Sequence, residues 1–203
     1  MYSVIHAYCD TLTQQFDTIT PDRKKLLSIV SAYILQKRAE NKAVQLVYIC
    51  THNSRRSHFG QVWAATAAAY YDINNILTFS GGTEATAFNQ NAIHALEKLG
   101  FAIHSDGQFN NPVYQVCYGE QEYTTCFSKV YNHPANPKDN FLAIMTCGEA
   151  EANCPFIPGA TGRVATTYED PKLYDGIPQR EAAYDERCRQ IALETLYVFS
   201  LVK

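Results

Sequence analysis

No run of apolar residues approaches the roughly 20 needed to cross a bilayer, so no membrane-spanning helix is expected. Charge of one sign is not in excess either: net charge is −3 and the isoelectric point near 6.1. That gives no reason to expect nucleic acid or an anionic membrane surface as a partner. The opening residues, Met-Tyr-Ser-Val-Ile-His-Ala-Tyr-Cys-Asp, lack a basic stretch followed by an apolar core, so no secretory signal is read there. Internal repeats and low-complexity tracts are absent. An even, closely spaced cysteine set is missing too. The seven cysteines are scattered, which argues for a reducing, cytoplasmic setting rather than a disulfide framework. No second Cys/His pair matches them as zinc ligands, and neither a metal nor another cofactor is expected.

What is present is the composition of a globular chain, 46% hydrophobic and 18% charged over 203 residues. That length fits one domain with a sizeable core. Its centre is residues 44–60. Val44 to Ile49 is a β-branched apolar run that reads as a buried strand, and it stops at Cys50. A polar loop follows, Thr51-His52-Asn53-Ser54-Arg55-Arg56-Ser57. Then Gln61 to Tyr71, rich in alanine, reads as a helix. A strand feeding a tight loop that opens a helix gathers backbone N–H groups and a helix N-terminus on one point, a site for an anion. A cysteine at its base would be favoured as thiolate and nucleophile. Arg56 would grip two oxygens of a tetrahedral oxyanion with its planar fork, and Ser57 would donate to the sulfur. The Cys-x5-Arg spacing alone is common. The strand before it, the helix after it and the whole of Cys-Thr-x-Asn-Ser-x-Arg-Ser give it weight.

Residues 50–57 resemble the phosphate loop of the low-molecular-weight protein tyrosine phosphatases and the related thioredoxin-coupled arsenate reductases. The resemblance implies an α/β fold, a three-layer α/β/α sandwich around a parallel sheet, with Cys50 as nucleophile and residues 51–57 binding the oxyanion. Further matches lie at 80–84, 147–158 and 169–171. Residues 1–43 precede the matching part and read as a helical extension, either packed on the core or used for dimerisation. Within it, 21–39 carries Leu26, Ile29, Val30, Tyr33 and Ile34 at helical spacing, with Pro21 near the start. The whole of 1–203 is expected to form one domain.

Beyond the loop, Asn75 to Ser80 reads as a strand and Asn89 to Leu99 as a helix stopped by Gly100. Phe101 to His104 follows as a strand, and the alternation predicts a parallel sheet covered by helices. Near 105–140 the pattern breaks into an insertion. There Val113 to Tyr118 and Tyr123 to Tyr131 read as a hairpin, and Ser128, Lys129 and Tyr131 have no assigned role. Phe141 to Thr146 is another buried strand ending at Cys147, and Gln179 to Val202 a long helix with Tyr184, Cys188, Ile191, Thr195, Val198 and Val202 inward.

Ligand sites gather at the carboxyl ends of parallel strands, which puts Cys50 and Cys147 at one mouth. Cys154 lies beyond Cys147 with six residues between them. This segment, with its Asn-Cys-Pro, is similar to the redox segment of the arsenate reductases, and the resemblance implies a disulfide relay from Cys50 to Cys147 to Cys154, reduced by a thioredoxin-type donor. A cysteine at a strand end is also commonly a small core residue. Asp170 precedes Pro171 and matches the family's Asp-Pro loop, which implies a general acid; the dipeptide alone would read as a turn. Nearby Tyr168, Tyr174 and Asp175 read equally as lining of the mouth or as loop surface. Asn53 and Ser80 match positions that brace the loop. His52 replaces a glycine and would be strained if that position needs a positive φ. Arg55 replaces a residue that is often cysteine and would add charge near the anion. Gln61 replaces a glutamate that in some arsenate reductases helps hold potassium. Two activities fit: arsenate reduction, and hydrolysis of phosphotyrosine or small aryl phosphates through a phosphocysteine. A module that binds the anion without turnover is the non-enzymatic reading.

Overall fold

The structure is a computed structural model, and it describes residues 1–107, 110–153 and 156–203. The chain opens with two helices, α1 (Ser3–Thr13) and α2 (Pro21–Ala39), the second begun by Thr20 as cap with Pro21 at its first turn. Then come β1 (Val44–Cys50), α3 (Arg56–Tyr70), β2 (Ile76–Gly82), α4 (Gln90–Glu97) and β3 (Ala102–Ser105). The rest is β4 (Tyr114–Cys117), β5 (Tyr123–Cys126), β6 (Phe141–Met145), α5 (Gly148–Asn153), β7 (Ala160–Ala165) and α6 (Arg180–Ser200).

Four parallel strands form the central sheet in the order β2-β1-β6-β7. β1 lies between two partners, and both its faces are covered. Leu46 and Tyr48 join the large apolar cluster with α1, α2, α3, α4 and α6, while Val47 and Ile49 point into a smaller one. This smaller cluster holds Cys50, Phe141, Met145, Cys147, Ala150 and Ile157. The molecule is therefore the expected three-layer α/β/α arrangement, with α5, among the described residues, the one helix contributing to the smaller cluster. α1 and α2 add Ile5, Cys9, Leu12, Leu27, Val30 and Ile34 to the large cluster, so the extension packs on the core. Among the described residues no helix is long and apolar enough to cross a membrane.

Two strands depart from the sequence reading. β3 was expected to extend the parallel sheet; instead it pairs antiparallel with β4, and β4 with β5, as a separate three-stranded sheet. A four-residue strand carries too little pattern to say which sheet it joins, and no residue of β3 is buried. The hairpin itself is β4–β5, shorter than read. The second departure is β7, an edge strand rich in Gly, Thr and Arg whose one fully buried side chain is Val164. The chain after β5 returns to the site: Val130 forms a parallel bridge with Gly82 at the end of β2.

Candidate active site

The carboxyl ends of β1, β2 and β6 converge on the loop 51–55. Cys50 sits at its base, buried, with Ser57 Oγ 3.1 Å from its sulfur. Asn53 Nδ2 donates to Ser57 Oγ at 2.8 Å, and Asn53 Oδ1 accepts from Lys129 N at 2.8 Å. Because Ser57 accepts from Asn53, its own proton is free for the sulfur.

The loop's carbonyls are turned outward and satisfied by neighbouring segments. Cys50 O accepts from Thr83 N at 3.2 Å, Thr51 O from Glu84 N at 2.8 Å, and Ser54 O from Asn89 N at 3.0 Å. His52 O accepts from Ser128 Oγ at 2.9 Å and from Thr86 Oγ1 at 3.2 Å. In a trans peptide the next N–H points opposite to the carbonyl. The amides of Thr51, His52, Asn53 and Arg55 therefore face the other way, into the loop, as an anion cradle needs. The residue in the left-handed region is Asn53, φ 44°, so His52 carries no strain, and asparagine tolerates this conformation well. Gly82 permits the close approach, since a Cβ there would lie 2.6 Å from Thr51 O and 2.7 Å from Asn53 N.

Arg56, in the first turn of α3, donates from Nη2 to Asp170 Oδ2 at 2.6 Å and from Nη1 to Tyr168 O at 2.9 Å. Its Nε is buried without a hydrogen-bond partner. Asp170 caps a short turn through Oδ1, which accepts from Lys172 N at 3.0 Å, and Pro171 stiffens that turn. Asp170 and Arg56 are thus brought together. Cys147 lies at the end of β6, beside β1, its sulfur 3.4 Å from Thr51 Oγ1 and accepting from Ala150 N at 3.4 Å. Cys154 lies outside the described residues.

Other residues sit differently from the reading. The guanidinium of Arg55 is held by Tyr184 Oη at 2.7 Å and Asp175 Oδ2 at 3.4 Å, so this side chain is committed to a packed ion pair; its place in the loop is through its backbone. Ser80 does not brace the loop by its hydroxyl, which is buried with no hydrogen-bond partner; its carbonyl accepts from Asn136 Nδ2 at 3.0 Å. Tyr168 is buried, donating to Glu194 Oε2 at 2.7 Å, whereas Tyr174 is exposed. Gln61 donates to Thr124 Oγ1 and Thr125 O, both at 2.8 Å, and ties α3 to β5.

Three supports were invisible in the sequence. Ser128 is clamped by Asn111, which accepts from Ser128 N at 3.1 Å and donates to Ser128 O at 2.8 Å, and so the inserted segment forms the loop's outer wall. Glu149 Oε2 accepts from Thr51 Oγ1 at 2.9 Å. Lys129, 4% exposed, donates to Phe127 O at 3.3 Å and lies over the Phe127 ring. Burial pushes its pKa down to about 8, with the nearby Cys126 opposing. Cys126, also buried, is pushed up to about 12. Among the described residues no group of three or more His, Cys, Asp or Glu could hold a metal ion.

No family model matches the chain. It is similar to the arsenate reductase of Bacillus subtilis (strain 168), 26% identical over 150 residues, or 74% of this chain and 88% of that protein. The arsenate reductase of Staphylococcus aureus (strain Newman) is 26% identical over 128 residues, 62% of this chain and 77% of its own. In fold it resembles a low-molecular-weight phosphotyrosine phosphatase from Vibrio cholerae, with TM-score 0.54 and 11% identity over 78% of this chain and 95% of that one. It also resembles an arsenate reductase from Archaeoglobus fulgidus, with TM-score 0.53 and 15% identity over 76% and 98%. Sequence and fold together relate the chain to the superfamily of low-molecular-weight phosphotyrosine phosphatases and arsenate reductases.

Proposed function

We propose that the chain, as one folded unit of the cytoplasm, reduces arsenate through three cysteines. Cys50 attacks arsenate held by the amides of 51–55 and by Arg56, whose unpartnered Nε is a donor suited to an oxyanion oxygen. Asp170 gives the proton with which the departing oxygen leaves as water. Cys147 then attacks the Cys50 sulfur. An S–S bond forms, the S–As bond breaks, and its electron pair reduces arsenic from the +5 to the +3 state. Cys154 attacks Cys147 and moves the disulfide outward, where a thioredoxin-type dithiol reduces it.

The observation that carries this reading is Cys147, at the strand end next to Cys50, its sulfur 3.4 Å from the hydroxyl of the adjoining Thr51. A phosphatase has no use for a thiol there. The arsenate reductases among the similar sequences support the same choice. The second reading, hydrolysis of phosphotyrosine or aryl phosphates through a phosphocysteine, draws on the Arg56–Asp170 pair, which serves both chemistries.

The test is to expose reduced protein to arsenate, quench with an alkylating agent and map disulfides by mass spectrometry. A Cys147–Cys154 bond that appears only with arsenate is the expected result. Free thiols throughout, together with hydrolysis of an aryl phosphate, would move the assignment to the phosphatase.

A further inference from the structure

Cys147 must become a thiolate at the moment it attacks, and it is buried in an apolar cluster. The thiol proton therefore needs an acceptor within the fold. Thr51 Oγ1 lies 3.4 Å from the sulfur and donates to Glu149 Oε2 at 2.9 Å. A threonine hydroxyl has one proton and two lone pairs, and an ionised carboxylate only accepts. With the Thr51 proton given to Glu149, the contact with sulfur has one polarity, S–H donating to Thr51 Oγ1. The three groups thus form a directed chain from thiol to carboxylate. Ala150 N, 3.4 Å from the sulfur, is placed to hold the thiolate.

We propose that Glu149 is the proton acceptor for Cys147, reached through the hydroxyl of Thr51. The step rests on the reductase reading above. The thiol proton passes to Thr51 Oγ1 as the Thr51 proton passes to Glu149, leaving a Cys147 thiolate, a neutral Thr51 and a protonated Glu149. The thiolate then attacks the Cys50 sulfur, and Glu149, at the solvent-exposed start of α5, returns its proton to water. Thr51 stays in register because Glu84 N and Thr83 Oγ1 both donate to its carbonyl, at 2.8 and 3.1 Å. The other charged groups nearby are committed. Glu151 accepts from Arg163 Nη1 of β7 at 3.1 Å, Glu84 lies 3.7 Å from His52, Arg56 is paired with Asp170, and Arg55 with Asp175. Glu149 has no cationic partner within ion-pair distance among the described residues, which leaves its carboxylate to the threonine.

The test is a single turnover of the full chain with arsenate, quenched by acid and alkylation, with the Cys50–Cys147 disulfide followed by mass spectrometry across pH 6 to 9. Glu149→Gln preserves shape and exposure while removing the acceptor. It is expected to slow disulfide formation about 10- to 100-fold near neutral pH and to approach the wild-type rate at the alkaline end, where the thiol ionises unaided. Glu149→Asp is expected to fall between them, and Thr51→Ser, which keeps the hydroxyl, to retain the pH profile. Equal rates in wild type and Glu149→Gln would overturn the assignment. So would a Glu149→Gln rate that is low at every pH without convergence, the mark of a structural role. A wild type in which Cys50 reacts with arsenate but no Cys50–Cys147 bond ever forms would overturn the reductase reading itself.

Discussion

Ser57 is the residue on which the Cys50 sulfur leans, at 3.1 Å, and its direction of donation is fixed by Asn53 behind it. Removing a donor to a charged acceptor costs about 1.5–3 kcal/mol. Ser57→Ala is therefore expected to slow alkylation of Cys50 by iodoacetamide roughly 10- to 100-fold. His58, one residue on, is fully buried and stacked on Phe88 with ring centroids 4.1 Å apart. Burial first, then the charge of Lys129, pushes its pKa down to about 3 from an ordinary 6.5, against the pull of the Phe127 and Ser54 backbone. An unfolded chain takes up this proton below about pH 6.5 and the native one does not until about 3, so the unfolded state binds more protons between these values. Stability must fall as pH drops through that window. His58→Phe, apolar beside Phe88, is expected to flatten the decline in urea midpoint between pH 6.5 and 4. A decline as steep as the wild type's would count against it. Lys129 obeys the same rule at the alkaline end. Its folded pKa near 8 lies below the ordinary 10.5, so its burial penalty is present at neutral pH and relieved as pH rises past 8. Lys129→Met should accordingly raise the urea midpoint at pH 7, by an amount that shrinks toward pH 10.

Elements differ in how openly the sequence announces them. β1, β6 and α6 were legible because burial on both faces of a strand, or along one stripe of a helix, writes itself as an apolar pattern. β7 was not, since an edge strand with Gly162 and Arg163 at its centre has little apolar content to show. β3 was legible as a strand but not as a member of its sheet, because pairing partners are set by tertiary contact rather than by four residues of pattern. In the site, Cys50, Arg56 and the Asp-Pro turn belong to local motifs, and their placement together could be read. Ser128 and Glu149 support the loop from distant elements by one hydrogen bond each, and Asn111 holds Ser128 by two; no local pattern marks such residues. Gly82 states the element-scale dependence most sharply. Gly82→Ala would drive a methyl into Thr51 O, Asn53 N and Glu84 O, and the loop must give way. Turnover is expected to fall at least about tenfold, a displacement of under 1 Å being enough for that, while far-ultraviolet circular dichroism stays unchanged.

Across the whole molecule, one buried polar chain links the helical extension to the site. Arg23 of α2 donates to Glu194 Oε2 of α6 from Nη2 at 2.7 Å and from Nε at 3.0 Å. Tyr168 Oη donates to the same oxygen at 2.7 Å, and the Tyr168 carbonyl holds Arg56. Removing one partner of a buried ion pair strands the other, at a cost of about 3 kcal/mol. Arg23→Met is expected to lower the melting temperature and also to weaken oxyanion binding, read as a rise in the inhibition constant for inorganic phosphate; a loss of stability with unchanged inhibition would limit Arg23 to the scaffold. The outer wall of the anion loop has a consequence in time as well as in space. Its three parts, residues 50–57, 82–89 and 128–131, are joined across long stretches of chain. Contacts of such separation close late, after local helices and the first strand pairs. Trp63, on α3, packs edge-on to Phe101 at 5.3 Å and donates to Cys188 Sγ of α6 at 3.2 Å, so its fluorescence reports a docking event still more remote in sequence. In refolding from urea, far-ultraviolet circular dichroism, which follows the local helices, should recover before both this fluorescence and catalytic activity, and the lag is the docking time of the distant segments.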